Sequence, residues 1–210
     1  LRRADIRQLR DGGLQTVTVA RLEKGDVDEN EAARRIAAVL ATSWLKLSPP
    51  GNTGRANLRA VAAGVVGIDE ARIHRMNAVD EAITIATVRP FEPLAKGQLA
   101  ATVKVITFAV PEAKVRACIR IAERGEPPVR LAPFAKKKIG FIQTLLPGLK
   151  DSIVEKASET MAARFAEMGL RIARERHCPH ETDAVAKALS DMARRGCDIV
   201  LVLGASAIVD

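Results

Sequence analysis

Between residues 139 and 203 a short apolar or alternating run is followed by a longer amphipathic one, and then the pattern repeats; this constrains the fold more than any other feature of the chain. Residues 139–143, Ile-Gly-Phe-Ile-Gln, read as a short buried strand. Ser152, Ile153, Val154 and Glu155 supply a Ser-x-x-Glu capping box. Apolar Val154, Ala157, Met161, Phe165 and Met168 then recur three and four residues apart, the spacing of one helix face, until Gly169 closes the run. An alternating strand over 170–176, a helix over 183–195 closed by Gly196, and a wholly apolar strand over 199–203 complete the pattern. Strand, helix, strand, helix, strand predicts a parallel sheet with right-handed crossovers. An apolar third strand needs cover on both faces. The sequence therefore predicts that this α/β domain is incomplete, with more sheet and a further helix after the Gly204 loop, beyond Asp210.

The upstream part reads differently. Residues 1–47 predict a helix over 4–10, a Gly12-Gly13 turn, a strand over 16–20 and a second helix near 29–40. The run Asp26-Val27-Asp28-Glu29-Asn30 has the acidic spacing of a calcium loop, but it lacks the sixth-position Gly and has Ala37 where the twelfth-position Glu belongs, so helix capping accounts for it better. Residues 48–54, rich in Pro, Gly and Asn, form a linker into a middle α+β domain over 48–133. Within it, 56–66 reads as a helix, 82–88 and 99–109 as strands with a Lys96-Gly97 turn between them, and 111–124 as a helix stopped by Gly125. Pro127-Pro128 is a second linker, and residues 134–210 hold the α/β domain.

Composition narrows the function classes. The net charge of +8 comes from 33 basic residues scattered among 25 acidic ones, and with no Tyr, one Trp and five Phe there is little to stack on bases, so nucleic acid is not the expected partner. The longest apolar stretches, 60–68 and 199–209, fall well short of the ~20 residues that a bilayer demands, so no membrane span is expected. Leu1 opens a run that reads as amphipathic helix, which suggests a trimmed terminus and not a signal peptide. Three cysteines, Cys118, Cys178 and Cys197, far apart and odd in number, argue against a disulfide framework and fit a reducing cytoplasm.

In open parallel sheets, ligands bind beyond the carboxyl ends of the strands. That rule selects the loops 144–151, 177–182 and 204–210. The small residues Gly204, Ala205, Ser206 and Ala207 leave backbone N–H groups free to wrap an anion, although a plain tight turn explains them as well. Asp151 and Ser152 open a helix, a position that favours anions; capping alone also accounts for Ser152. His177, Cys178 and His180 invite a zinc reading, but His74 is the only other histidine and no second cluster completes four ligands. Gly51-Asn52-Thr53-Gly54-Arg55 reads as a linker turn ahead of an anion site, since it lacks the full phosphate-loop pattern.

Residues 139–144, the Asp151-Ser152 helix start and residues 198–206 resemble, in order and spacing, the molybdopterin-binding domain shared by molybdopterin adenylyltransferases and molybdenum-inserting transferases of molybdenum cofactor biosynthesis. The resemblance covers about the last third of the chain and lies closer to the molybdenum-inserting branch. It implies an α/β fold, a three-layer parallel-sheet molybdopterin-binding domain preceded by a smaller α+β domain. Asn77-Ala78-Val79-Asp80-Glu81-Ala82 is similar to the Ser-Ala-Met-Asp-Gly-Tyr-Ala signature of the inserting branch, which would make Asp80 a functional acid; Glu81 and Ala82 depart from it. The resemblance places Thr144, Asp151, Ser152, Gly204, Ala205, Ser206 and Ala207 around molybdopterin, with the Ser206 hydroxyl and the loop amides on its phosphate. It implies binding of molybdopterin or a late cofactor intermediate, in cofactor assembly, molybdenum insertion or delivery to molybdoenzymes and other assembly proteins. Such domains often form dimers or trimers, so a homo-oligomer is open. In the adenylyl-transferring branch, acids hold a Mg2+ nucleotide; here His180 stands after Pro179, with Glu181, Asp183 and Asp210 as the nearest carboxylates. Nucleotidyl transfer to molybdopterin and a non-catalytic interaction module are the alternatives.

Overall fold

The computed structural model describes residues 2–204 except 18, 50 and 52. The chain is mixed α/β and carries several sheets, one of them parallel.

The amino-terminal helix α1, Arg3–Asp11, buries none of its side chains. Beyond it the described residues of the expected 16–20 strand form no strand: Val17 and Val19 are exposed and no ladder partner lies beside them, so alternation alone did not suffice. Strand β1 (Asp26–Asp28) leads directly into α2 (Glu29–Leu40). Asp28 caps α2, its carboxylate accepting from the N–H groups of Asn30 and Glu31 at 3.1 Å each, which is the capping role expected of this acidic run. Helix α2 buries Ala32, Ala33, Ile36, Ala37 and Leu40, one continuous face.

That face lies on an antiparallel sheet of β2 (Leu45–Leu47), β3 (Arg55–Ala60), β7 (Leu99–Val105) and β5 (Ile83–Thr87), in the order β2-β3-β7-β5. A second sheet joins β4 (Gly64–Ile68) to β6 (Pro93–Leu94) and β9 (Val129–Pro133), and β1 pairs with β8 (Ala109–Pro111). Helices α3 (Glu70–Asn77) and α4 (Glu112–Ala122) complete this part. The stretch 56–66, expected as a helix, is β3, a turn and the start of β4. Its alanines favour a helix locally, but Leu58 and Ala60 alternate into the core and β3 gains ladders on both sides, so pairing overrides propensity. The residues of α2 and β2 share one core with those from 58 to 131, so the Pro-rich stretch 48–54 joins elements of a common core.

Two contacts hold this core in register. Arg35 on α2 makes a bidentate pair with Glu112 on α4, at 2.6 and 2.9 Å, and Arg116 also donates to Glu112. On β4, Gly64 faces Pro133 of β9 so closely that a Cβ there would lie 2.3 Å from the Ala132 carbonyl oxygen.

The last part contains β10 (Ile139–Leu145), α5 (Asp151–Glu167), β11 (Ile172–Pro179), α6 (Thr182–Arg194) and β12 (Ile199–Leu203), close to the bounds expected. The sheet runs β11-β10-β12, all parallel, with β10 central and buried along nearly its whole length. Side chains alternate across β10. Ile142 clusters with Ala188 and Met192 of α6, while Gln143 reaches Val154 and Ser158 of α5, so the two helices cover opposite faces. A Cβ on Gly140 would meet Met192 Sδ and Cys197 Sγ at 3.2 Å, so the glycine lets α6 approach the sheet. The expected capping box at Ser152 does not form: α5 begins two residues earlier than it requires, its cap is Lys150, and the cap side chain makes no hydrogen bond to the helix end. The two edges of the sheet differ: β11 presents Arg174, Glu175 and Arg176, whereas Ile199, Val202 and Leu203 of β12 are partly exposed.

Two outcomes are expected. Gly64→Ala must displace β9 and should lower unfolding free energy by about 1–3 kcal/mol, as overpacking does, read as a fall in the urea midpoint. The guanidinium groups of Arg35 and then Arg116 hold the Glu112 carboxyl down at about 2. A depressed folded value means that this contribution is full above the ordinary Glu range and is lost as pH falls toward about 2. The urea midpoint of Glu112→Gln should therefore vary less than that of the parent between those limits.

Candidate functional site

The three parallel strands bring their carboxyl ends to one place. Thr144 pairs with Cys178 across the β10–β11 ladder, Leu145 with Pro179, and Gln143 with Leu203 of β12, so Thr144, His180 and Gly204 stand at the same level. Strand β10 connects outward to β11 on one side while β12 lies on the other, so the direction of winding reverses between β10 and β12.

At that end the Thr144 hydroxyl, only 4% exposed, lies 2.8 Å from Nδ1 of His180 and 3.4 Å from the Leu203 carbonyl oxygen. The main chain fixes the same corner, since the His180 N–H donates to the Leu145 carbonyl at 3.1 Å. A Cβ on Gly204 would come within ordinary contact, 3.7 Å, of the His180 ring. Beside the ring a crevice of about 470 Å³ is walled by Leu145, Leu146, Pro147, Cys178 and Pro179, with His177 and Glu181 at its margin. Its apolar walls and few polar groups suit a small molecule with one polar end.

A second polar cluster lies on the α5 face of the sheet. The buried amide of Gln143 donates to the Val154 carbonyl at 3.2 Å, to Ser158 Oγ at 2.7 Å and to Glu175 at 2.9 Å. Ser158 donates to the same carboxylate, and His177 Nε2 lies 3.1 Å from it. Burial pushes the Glu175 carboxyl up, but hydrogen bonds from Ser158, Gln143 and His177 outweigh it and hold the group below its ordinary range. Serine, acid and histidine here are in the wrong order for nucleophilic catalysis, because the acid and not the imidazole contacts the hydroxyl. The cluster ties α5 to β10 and β11.

The expected site residues separate in space. Thr144 and Gly204 both stand beside the His180 ring. Asp151 and Ser152 are exposed at the start of α5, at the same end of the sheet, with Asp151 in the first turn. Asp80 sits between α3 and β5, where its carboxylate accepts from the Ala82 N–H at 3.0 Å and faces Lys114 of α4 at 3.6 Å; Ala82 belongs to the amino-terminal core. Ala205, Ser206, Ala207 and Asp210 lie outside the described residues. Among the described residues no three His, Cys, Asp or Glu side chains group tightly enough to hold a metal ion, and no helix is long and apolar enough to cross a membrane. The Gly54 N–H is taken by Asn30 Oδ1 at 2.9 Å, which anchors the linker turn to α2.

His180 was not among the residues selected for ligand binding; the sequence presented it as the residue after Pro179 and, with His177 and Cys178, as part of an incomplete zinc set. Its pairing with Thr144, 36 residues away, requires the parallel ladder. No protein-family model matches the chain, and no curated protein matches it.

Gln143→Leu should take their shared donor from the Val154 carbonyl, Ser158 and Glu175, which keep only the contacts of Ser158 and His177, and cost about 1–3 kcal/mol, the usual range for losing one partner of a buried hydrogen-bonded group. Loss of that donor should also raise the Glu175 carboxyl, so the variant's stability should fall less steeply on acidification. Chemical denaturation across pH checks both.

Proposed function

We propose that the chain binds molybdopterin, or a late intermediate of molybdenum cofactor assembly, at the carboxyl end of β10, β11 and β12. The observation that carries the reading is the approach of Thr144 and Gly204 to His180, which lines a crevice at the carboxyl end of a parallel sheet. The order of motifs along residues 139–206 is what directs it to molybdopterin and not to another phosphorylated ligand.

In this reading, residues 134–210 are part of a three-layer molybdopterin-binding domain. The ring system of the pterin lies along Leu145, Leu146 and Pro147. The resemblance assigns the phosphate to the amides of Gly204, Ala205, Ser206 and Ala207, with Thr144, Asp151 and Ser152 as its further contacts. Asp80 and Asp210 are the acids that an insertion or transfer reaction would recruit, and Mg2+ belongs to the nucleotidyl-transfer alternative. Delivery to a molybdoenzyme or another assembly protein follows from binding alone, without catalysis by this chain.

Calorimetric titration of the full-length protein with molybdopterin and with its adenylylated form tests the proposal. Binding with a Kd of micromolar order or tighter is expected, weakened about tenfold or more in Gly204→Val, whose branched side chain enters the space beside His180. Magnesium dependence would favour nucleotidyl transfer over carriage. Absence of binding to both ligands would overturn the reading and leave an interaction module on the same sheet.

A further inference from the structure

We propose that a recess on the amino-terminal core, between the start of α2 and the start of β3, binds a small zwitterion, an amino acid with an apolar side chain. Its carboxylate pairs with Arg55 and its ammonium group with Asp28. The recess shares no residue with the crevice beside His180, and nothing in it rests on the molybdopterin reading.

The backbone on both sides of the recess is fixed. Gly54 has a φ of 61°, and a Cβ there would lie 2.4 Å from the Val105 carbonyl oxygen, so glycine is required. Its N–H donates to Asn30 Oδ1 at 2.9 Å and its carbonyl accepts from the Val105 N–H at 2.8 Å. Arg55 follows at once and is set opposite Lys104 on the β3–β7 ladder. Asp28 is held in turn by its bonds to the first turn of α2. Both residues line the recess, whose volume is about 430 Å³, in the lower part of the range for small-molecule sites.

Four charged side chains line it, Asp28, Glu31, Arg34 and Arg55. Glu31 and Arg34 satisfy each other through two hydrogen bonds, at 2.8 and 2.7 Å. Arg55 and Asp28 remain. Neither has an ion-pair partner among the described residues, and they are beyond ion-pair distance of each other. The end of α2 is not itself an anion site, because its first three N–H groups are already taken, that of Glu29 by the Phe108 carbonyl and those of Asn30 and Glu31 by Asp28. A ligand of one charge would meet only one of the two uncommitted groups. A zwitterion meets both, and half-buried Leu47 and Ala56 offer its side chain an apolar wall.

The test follows the amide resonances of the full-length protein by NMR as leucine is added. Isocaproate and isoamylamine, which keep the leucine skeleton but carry one charge each, are titrated beside it. Saturable shifts at the residues lining the recess are expected with leucine, at a Kd of about 1 mM because exposed ion pairs each contribute little. Each one-charge analogue should bind about tenfold more weakly, and Arg55→Gln and Asp28→Asn should each weaken leucine by about the same factor. Asn caps helices as well as Asp does, so Asp28→Asn should keep the parent's urea midpoint while its affinity falls. Isocaproate binding as tightly as leucine, undiminished in Asp28→Asn, would reduce the recess to an anion site and overturn the proposal. Absence of saturable shifts at the lining residues with leucine at tens of millimolar would overturn it outright. Neither result bears on molybdopterin binding.

Discussion

The parallel pairing of β10 on both its edges is the constraint on which the carboxyl-terminal part depends. A strand buried along its length on both faces is expected to be apolar, and β10 is so until its last residues. There it carries Gln143 and Thr144, both almost fully buried, and each must find a partner because an unsatisfied polar group in that setting costs as much as several apolar contacts return. Gln143 turns to α5 and Glu175, Thr144 to His180 and the end of β12. One strand end thus locks a helix on one face and shapes a crevice beyond the sheet, with no buried side-chain polar atom left unpaired among the described residues.

Much of this was legible in the sequence, and the reasons differ by element. The five elements from β10 to β12 were readable because period and punctuation agree: apolar strands, a three-and-four stripe on α5, and Gly169 and Gly196 after the helices. Helix α2 was readable for the same reason, with Asp28 at its start. The stretch 56–66 was misread because an alanine-rich run says little about partners, and its strand character comes from the ladders to β2 and β7. The strand expected around 16–20 failed in the opposite sense, as its alternation has no neighbour to pair with. At the site, the carboxyl-end rule located the loops but not the groups that meet there. The Thr144–His180 contact depends on register between β10 and β11, which a residue pattern does not encode. The Ser152 capping box matched its motif, yet the helix began at Asp151, because helix starts are set by the loop that delivers the chain as well as by cap chemistry.

The amino-terminal core solves a different problem. Its sheets are small and antiparallel, and the binding between layers comes from the alanine-rich face of α2, which allows a helix to lie close to β3 and β7. Small side chains supply little area each, so close approach matters more here than bulk. The contact of Gly64 with β9 follows the same logic, and the bidentate Arg35–Glu112 pair fixes α2 against α4 at the border of that core. None of these groups lines the crevice; they bear on how firmly the chain is folded.

The unlike edges of the parallel sheet give it a direction. Along β11, alternating cations and anions would have to shed their water before another backbone could dock, and that deters pairing. Along β12, Ile199, Val202 and Leu203 ask for no such sacrifice. Of the two described edges, β12 is therefore the one at which another backbone pairs with less loss of hydration. The crevice lies on the opposite side of β10, among the residues that follow β10 and end β11, so the apolar edge and the hollow of this sheet face different neighbours.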